Sequence, residues 1–379
     1  MRKAQIREIL FLVVFWTISA AFIVTYEAVV RGFERPEQGA AYSFPSELAL
    51  VLLVTVVASA AMASLEVLYL SRVLRRRAFG VTLLIKTAFY LSCIVVFTSL
   101  AALLIHSVGL GRPVYDPAVL TQLTEYWVDG LAIIGIVYWT GVVLLSLFVL
   151  QVSEKFGQGV LVNFLLGRYH LPKEEQHIFM FLDLRSSTAC AERLGHIKYS
   201  RLIQDCFYDL TDVVARHHAM IYQYVGDEVV LTWDVEEGVS DGDCLRIFHE
   251  YEKTLQHRAA HYEDAYGFVP EFKAGVNAGL VTVAEVGEIK KELAYHGDVL
   301  NTAARIQGKC NELGRRLLVS EALRDRFNGS GDYEFRLMGE VELKGKAKPV
   351  RIYDAVVIEE GSLTARSTSQ PSTVSSTTS

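Results

Sequence analysis

The sequence predicts an α+β soluble domain with a mostly antiparallel sheet, carried behind an all-α transmembrane region. Three observations support that prediction. The 379 residues fall into two unlike halves, long apolar runs to about residue 151 and then the mixed composition of a globular domain. Four of the early runs reach the roughly 20 residues that a helix needs to cross a bilayer. In the later half, apolar runs of strand length alternate with longer amphipathic stretches, and Gly226-Asp227 stands between two short runs as a hairpin signal.

The membrane region (1–151) comes first. Spans are expected over about Ile9 to Val30, Leu48 to Leu70, Val81 to His106 and Leu131 to Gln151. The first follows Arg2, Lys3 and Arg7, but it is too long for a signal-peptide core and lacks a convincing cleavage site. It reads as a retained helix. Basic residues gather before the first span, between the second and third (Arg72, Arg75, Arg76, Arg77) and after the fourth (Lys155, Arg168). The other two loops mix charges. This pattern predicts a multi-pass protein of the cell (inner) membrane with both termini and the soluble half in the cytoplasm. Glu66 and Lys86 lie inside apolar runs at similar depth. Either they pair between neighbouring helices or each snorkels to the interface. Lipid is the expected partner of these helices. Small residues over Ala58 to Ser64 permit close helix packing, and the region leaves room for an unknown ligand.

Residues 152–173 read as a short amphipathic connector. Phe156, Val160, Phe164 and Leu165 recur near helical spacing, while Gly157, Gly159 and Gly167 argue against a long coiled coil. The soluble domain (174–358) then opens with a buried strand, Ile178 to Leu182. A long helix is expected from Thr188 to about His217, and a hairpin from Ala219 to Val225 and Val229 to Trp233. A second long helix spans Ser240 to Tyr266. Phe272 to Ala284 reads as two strands broken at Ala278-Gly279. A short helix, Asp298 to Lys309, is followed by a strand at Leu317 to Val319 and a helix from Ser320. Tyr333 to Leu343 and Val350 to Val357 close the sheet. Strands and helices in this order give an α+β arrangement. Of the last 19 residues, Gly361 to Ser379, 12 are serine or threonine, so 359–379 reads as a disordered tail.

Composition excludes some partners. A net charge of −6 without a basic stripe in the soluble half argues against nucleic acid. The five cysteines (Cys93, Cys190, Cys206, Cys244, Cys310) show no metal-ligand spacing and suit a reducing compartment.

The chemistry centres on two carboxylates. Asp183 ends the run Phe179-Met180-Phe181-Leu182, and Asp227 sits in the glycine turn. Together they make a cradle for hard cations, or, taken singly, a helix cap and a turn residue. Asn301 and Arg305 are four apart and share one helix face.

Four separated motifs occur in order: Phe181-Leu182-Asp183-Leu184-Arg185, Tyr224-Val225-Gly226-Asp227, Gly297-Asp298-Val299-Leu300-Asn301-Thr302-Ala303-Ala304-Arg305, and Leu343-Lys344-Gly345-Lys346. With them the soluble half resembles the catalytic domain of the class III nucleotidyl cyclases, the adenylate/guanylate cyclase family. The resemblance covers about residues 174 to 358 and implies that family's ferredoxin-like fold. It also implies conversion of ATP to cyclic AMP and pyrophosphate with two Mg²⁺ or Mn²⁺ ions per site. Asp183, Asp227 and the backbone carbonyl of Leu184 would hold the metal. Asn301 would orient the ribose, Arg305 would stabilise the transition state, and Lys344 or Lys346 would meet the terminal phosphates. In that family one site draws these two sets from different subunits, so a head-to-tail homodimer with shared sites is implied. Alternatives are a guanylate cyclase, or a catalytically silent cyclase-like domain serving a regulator or sensor.

The sequence departs from the family at the base. Gln223 stands where adenylate-specific relatives carry lysine, and Ala294 where they carry aspartate or threonine. The guanylate-type Glu and Cys are absent too. A family arginine is replaced by Ile289, with Lys290 beside it as a substitute on the phosphates.

Overall fold

The structure, a computed structural model, describes residues 3–31, 44–74, 77–128, 130–156, 167–289, 291–327, 333–342 and 349–358. The chain divides into two compact units, Met1–Gln158 and Gly159–Ser379.

The first unit is helical. α1 (Lys3–Arg31) is followed by α2 (Phe44–Leu65), which runs through a π-helical turn (Glu66–Leu70) into α3 (Ser71–Leu74). Then come α4 (Phe79–Leu110), α5 (Pro117–Val128) and α6 (Gly130–Phe156). Four stretches, Gln5–Val30, Phe44–Leu70, Gly80–Leu110 and Ile133–Ser153, are long and apolar enough to cross a membrane. They correspond to the four expected runs. Leu12, Trp16, Met62, Tyr90, Val143 and Leu147 pack inward, while large apolar side chains such as Leu53, Leu84 and Val137 face outward. Helices apolar on every side suit lipid rather than water. The sequence reading missed α5. Its start is fixed by Asp116, whose carboxylate accepts a hydrogen bond from Ala118 N at 2.8 Å.

Glu66 and Lys86 are paired rather than snorkelling. Their side chains are 2% and 5% exposed. Lys86 Nζ donates to Glu66 Oε1, Ser71 Oγ donates to the same oxygen at 2.9 Å, and Tyr90 Oη donates to Oε2 at 2.7 Å. Both oxygens of the buried carboxylate thus accept hydrogen bonds, and a cation lies beside it, which meets the condition for keeping a charge away from water.

The second unit is α+β. Its elements are β1 (Lys173–Leu184), α7 (Ser187–Leu194), α8 (His196–Arg216), β2 (Met220–Val225), β3 (Glu228–Asp234), α9 (Val235–Ser240), α10 (Asp243–His257) and α11 (Ala259–Tyr266). They continue with β4 (Phe272–Val286), β5 (Glu292–His296), α12 (Asp298–Gly308), β6 (Leu317–Ser320), α13 (Glu321–Arg324), β7 (Tyr333–Val341) and β8 (Val350–Val357). The sheet order is β2-β3-β1-β4-β6-β8-β7, with β5 paired to β4. Only the β4–β6 pairing is parallel among the described residues.

β1 is central and buried on both faces, which explains its unbroken apolar run. Ile178, Met180, Leu182 and Leu184 point to the large core that Leu202, Cys206 and Leu210 of α8 and Phe248 and Tyr251 of α10 fill. Phe179 points to the other face, with Val230, Val281, Tyr295, Val299 and Ala303. Each such fully buried large side chain contributes about 1.5–3 kcal/mol.

Four expectations change. The first long helix is divided at Gly195, whose φ of 73° interrupts the helical geometry between α7 and α8. The second is divided into α10 and α11 at Arg258 (φ −101°), with the separate short α9 before them. β4 is one strand, unbroken at Ala278-Gly279. β5, absent from the sequence reading, pairs with the far end of β4.

Gly279 lies in β4 for packing, not for a break. A Cβ there would stand 2.8 Å from Val299 Cγ2 of α12. At Gly275 the approach is closer: a Cβ would stand 2.2 Å from Gln307 N and 2.5 Å from Ala303 O. Between these glycines Asn277 Nδ2 donates to Val299 O at 3.0 Å. α12 therefore rests directly on the β4 backbone.

Gly275→Ala should lower the unfolding midpoint of the purified chain, by about 1–3 kcal/mol or roughly 2–10 °C. Gly308→Ala, where a Cβ meets nothing within 4 Å, should not lower it. In the membrane unit, Lys86→Met should cost about 3–5 kcal/mol in thermal unfolding in detergent, and adding Glu66→Gln should recover most of that loss.

Candidate active site

Asp183 is the last residue but one of β1. Its cross-strand partners are Glu228 on β3 and Lys273 on β4. Residues directly opposite share a face, so all three point to the side that α12 covers. Asp227 lies one residue before Glu228, in a two-residue hairpin loop closed by the Val225–Glu228 pair. Gly226 takes φ 65° at the first loop position, which glycine adopts without strain. The tight turn thus delivers Asp227 beside the end of β1.

The charges there interact. Burial, and then the Asp227 carboxylate, raise the pKa of Asp183; Lys273 and Gln307 oppose the rise. Burial pushes Glu228 up to about 7, with Asp183 and Asp227 adding to the shift. Burial and then Asp227 push Tyr199, on α8, up to about 12. Two contacts hold Asp183 Oδ2: Gln307 Nε2 donates to it at 2.8 Å, and Lys273 Nζ lies at 3.3 Å. Among the described residues, no three carboxylate, imidazole or thiol groups form a ready-made cage. The donors are two aspartates from adjoining strand ends, an all-oxygen set that suits magnesium or manganese rather than a thiophilic metal. The Leu184 side chain is buried in the large core, so only its backbone is available to a cation.

The loop that follows takes a strained route. Ser186 has φ 56°, uncommon for a residue other than glycine, and α7 starts directly after it without a side-chain cap. The uncapped N–H groups of α7 therefore lie three to five residues beyond Leu184, where an anion is favoured.

α12 presents two faces. Val299, Thr302, Ala303, Ile306 and Gln307 are buried. Asn301 is exposed and Arg305 half-buried on the opposite side. The structure thus brings Asp183 and Asp227 together and turns Asn301 and Arg305 away from the sheet face that carries Asp183. Arg305 Nη1 is buried and has no hydrogen-bond partner among the described residues.

At the base positions, Gln223 is exposed on β2 and Ala294 is half-buried on β5, paired with Ala284. Their neighbours touch: the rings of Tyr222 and Tyr295 lie 5.0 Å apart, edge to face, and both pack on Phe179. A bulge between Ile221 and Gln223 sets Gln223 opposite Val230, on the face that carries Asp183. Lys290, Lys344 and Lys346 lie outside the described residues.

The sequence reading did not single out Lys273, Gln307, Glu228 or Tyr199. Glu228 was adjacent to a motif residue, but nothing in sequence spacing joins Lys273 or Gln307 to Asp183.

Residues 171–354 match the family described as the adenylate and guanylate cyclase catalytic domain. Adenylate cyclase 2 of Rhizobium meliloti (strain 1021) is 32% identical over 289 residues, covering 76% of this chain and 76% of that protein. The chain belongs to this family. Adenylate cyclase 1 of the same organism is 27% identical over 183 residues, 47% of this chain and 27% of that protein. The fold is shared with the structure of a bacterial light-regulated adenylyl cyclase, at a TM-score of 0.50 and 18% identity over 60% of this chain and 65% of that one. The soluble unit is thus an adenylate/guanylate cyclase catalytic domain.

The raised carboxylates give the metal-free cyclase a distinctive pH response. Glu228 binds its proton more tightly folded (about 7) than at its ordinary value of 4.5. Ionising it therefore costs stability, and that loss accumulates as pH rises from about 4.5 to about 7. In EDTA, Glu228→Gln should flatten the fall in unfolding midpoint across that window.

Proposed function

We propose that this chain is a membrane-bound adenylate cyclase that converts ATP to cyclic AMP and pyrophosphate in a homodimer with two shared sites. The observation that carries the reading is the division of one chain's residues. Asp183 and Asp227 meet at the ends of β1 and the β2–β3 hairpin, whereas Asn301 and Arg305 occupy the face of α12 turned from the sheet. A second copy, placed head to tail, would supply them.

In the reaction the ribose 3′-oxygen forms a bond to the α-phosphorus, and the bond from that phosphorus to the bridging oxygen of pyrophosphate breaks. Bound magnesium or manganese, two ions per site, would neutralise charge on the attacking and leaving oxygens. Asp183, Asp227 and the Leu184 carbonyl would hold these ions. The partnerless guanidinium donor of Arg305 meets charge developing at the α-phosphate, and the Asn301 amide fixes the ribose. The uncapped N-terminus of α7 and Lys344 or Lys346 receive the terminal phosphates, with Lys290 a further cation for them. Gln223 reads the base, its amide offering both a donor and an acceptor, while Ala294 contributes shape only. ATP is favoured over GTP because adenylate cyclase 2 of Rhizobium meliloti, matched over 76% of this chain, carries that name. The distribution of basic residues supports a cytoplasmic catalytic unit. There the membrane anchor raises the local concentration of the partner chain.

Purified chain incubated with ATP or GTP and Mg²⁺ or Mn²⁺ should release cyclic AMP from ATP in preference to cyclic GMP from GTP. Absence of either product in every combination would sink the enzyme reading. Asp183→Ala and Arg305→Ala chains should each lose at least about 100-fold in kcat. Co-assembled, they should recover part of the activity, because a mixed dimer retains one intact site. Mixed dimers that stay inactive would exclude the shared site.

A further inference from the structure

We propose that Gln307 is a positioning residue for the Asp183 carboxylate, holding it in the rotamer that accepts a divalent cation. This rests on the reading of Asp183 as a metal ligand. Gln307 donates from Nε2 to Asp183 Oδ2 at 2.8 Å and is 6% exposed. Its backbone is equally constrained, since Gln307 N and Cα lie 2.2 and 2.6 Å from where a Gly275 Cβ would stand. The amide therefore reaches Asp183 from a fixed base, on a helix that rests against the central strands.

Asp183 has a second neighbour on the same oxygen, Lys273 Nζ at 3.3 Å. The two act in opposite senses. Lys273 is a charge on a flexible stem and competes with a cation for the carboxylate. Gln307 is neutral, so it orients the carboxylate without competing. Both contacts fall on Oδ2, and Oδ1 carries no hydrogen bond among the described residues. The arrangement leaves Oδ1 open on a carboxylate whose direction is already set. Hydrogen-bonding partners of metal ligands typically govern affinity by 10–100-fold.

The test is Mn²⁺ binding to the full chain in detergent without nucleotide, read from the free-ion electron paramagnetic resonance signal. Gln307→Met keeps the length and burial of the side chain but removes the donor. It should weaken Mn²⁺ binding by about 10–100-fold with the unfolding midpoint in EDTA close to that of the parent chain. Lys273→Met should tighten binding, a difference in sign that a general loosening of the site would not produce. Should Gln307→Met fail to fold, Gln307→Asn, which withdraws the amide by one methylene, is measured in its place and should weaken binding in the same direction. A folded Gln307 variant with parental Mn²⁺ affinity overturns the proposal. Weakened binding by both the Gln307 and Lys273 variants also overturns it. If the parent chain itself binds no Mn²⁺, the metal-site reading falls first and this proposal with it.

Discussion

At Gly275 a helix backbone and a strand backbone meet with no side chain between them. Much else in the catalytic unit follows from that contact. The glycines at 275 and 279 open a slot on β4, and Asn277 fixes the height of α12 within it through the Val299 carbonyl. Once seated there, α12 has no freedom to choose which residues it shows. One side gives Val299, Ala303 and Ile306 to the core and Gln307 to Asp183. The other gives Asn301 and Arg305 to whatever lies beyond. A bulkier residue at 275 would alter both sides together, because a helix moves as a rod.

The second constraint is electrostatic. Three acidic side chains, Asp183, Asp227 and Glu228, are held within interaction range at the ends of adjoining strands. Hydrophobic burial of β1 and β3 fixes the backbone, so the carboxylates cannot relax apart. The fold thus accepts like-charge repulsion at this one edge and offsets only part of it through Lys273 and Gln307. Local unfavourable charge at a place fixed by a strong core is a common signature of a site built for an external cation.

Much of this was legible in the residues. Two strand-edge aspartates and a glycine turn marked where Asp183 and Asp227 come together, and an Asn/Arg pair at helical spacing marked one face of α12, because each depends on local geometry. The four apolar runs were equally plain, since their length is set by bilayer thickness. What escaped was of a different kind. Gln307 lies 124 positions from Asp183, and β5 lacks the length or the alternation to announce itself. Gly279 was misread as a strand break because its reason is a valine on another element. Gly195 was passed over because the apolar face continues on both sides of it. The Glu66–Lys86 pair stood between two readings because sequence gives depth in a membrane but not which helix faces which.

That pair also bears on how the chain is made. Glu66 and Lys86 are 20 residues apart, on consecutive apolar helices. A lone acidic or basic residue near the middle of a span costs about 2.5–3.5 kcal/mol to insert, somewhat less toward an end. If each helix left the translocon alone, it would carry its own unneutralised charge into lipid. Leaving together as a hairpin, the two helices would cancel these charges against each other before meeting the acyl chains. In a bilayer, the contact between Lys86 and Glu66 would therefore also favour entry of these two helices as one unit.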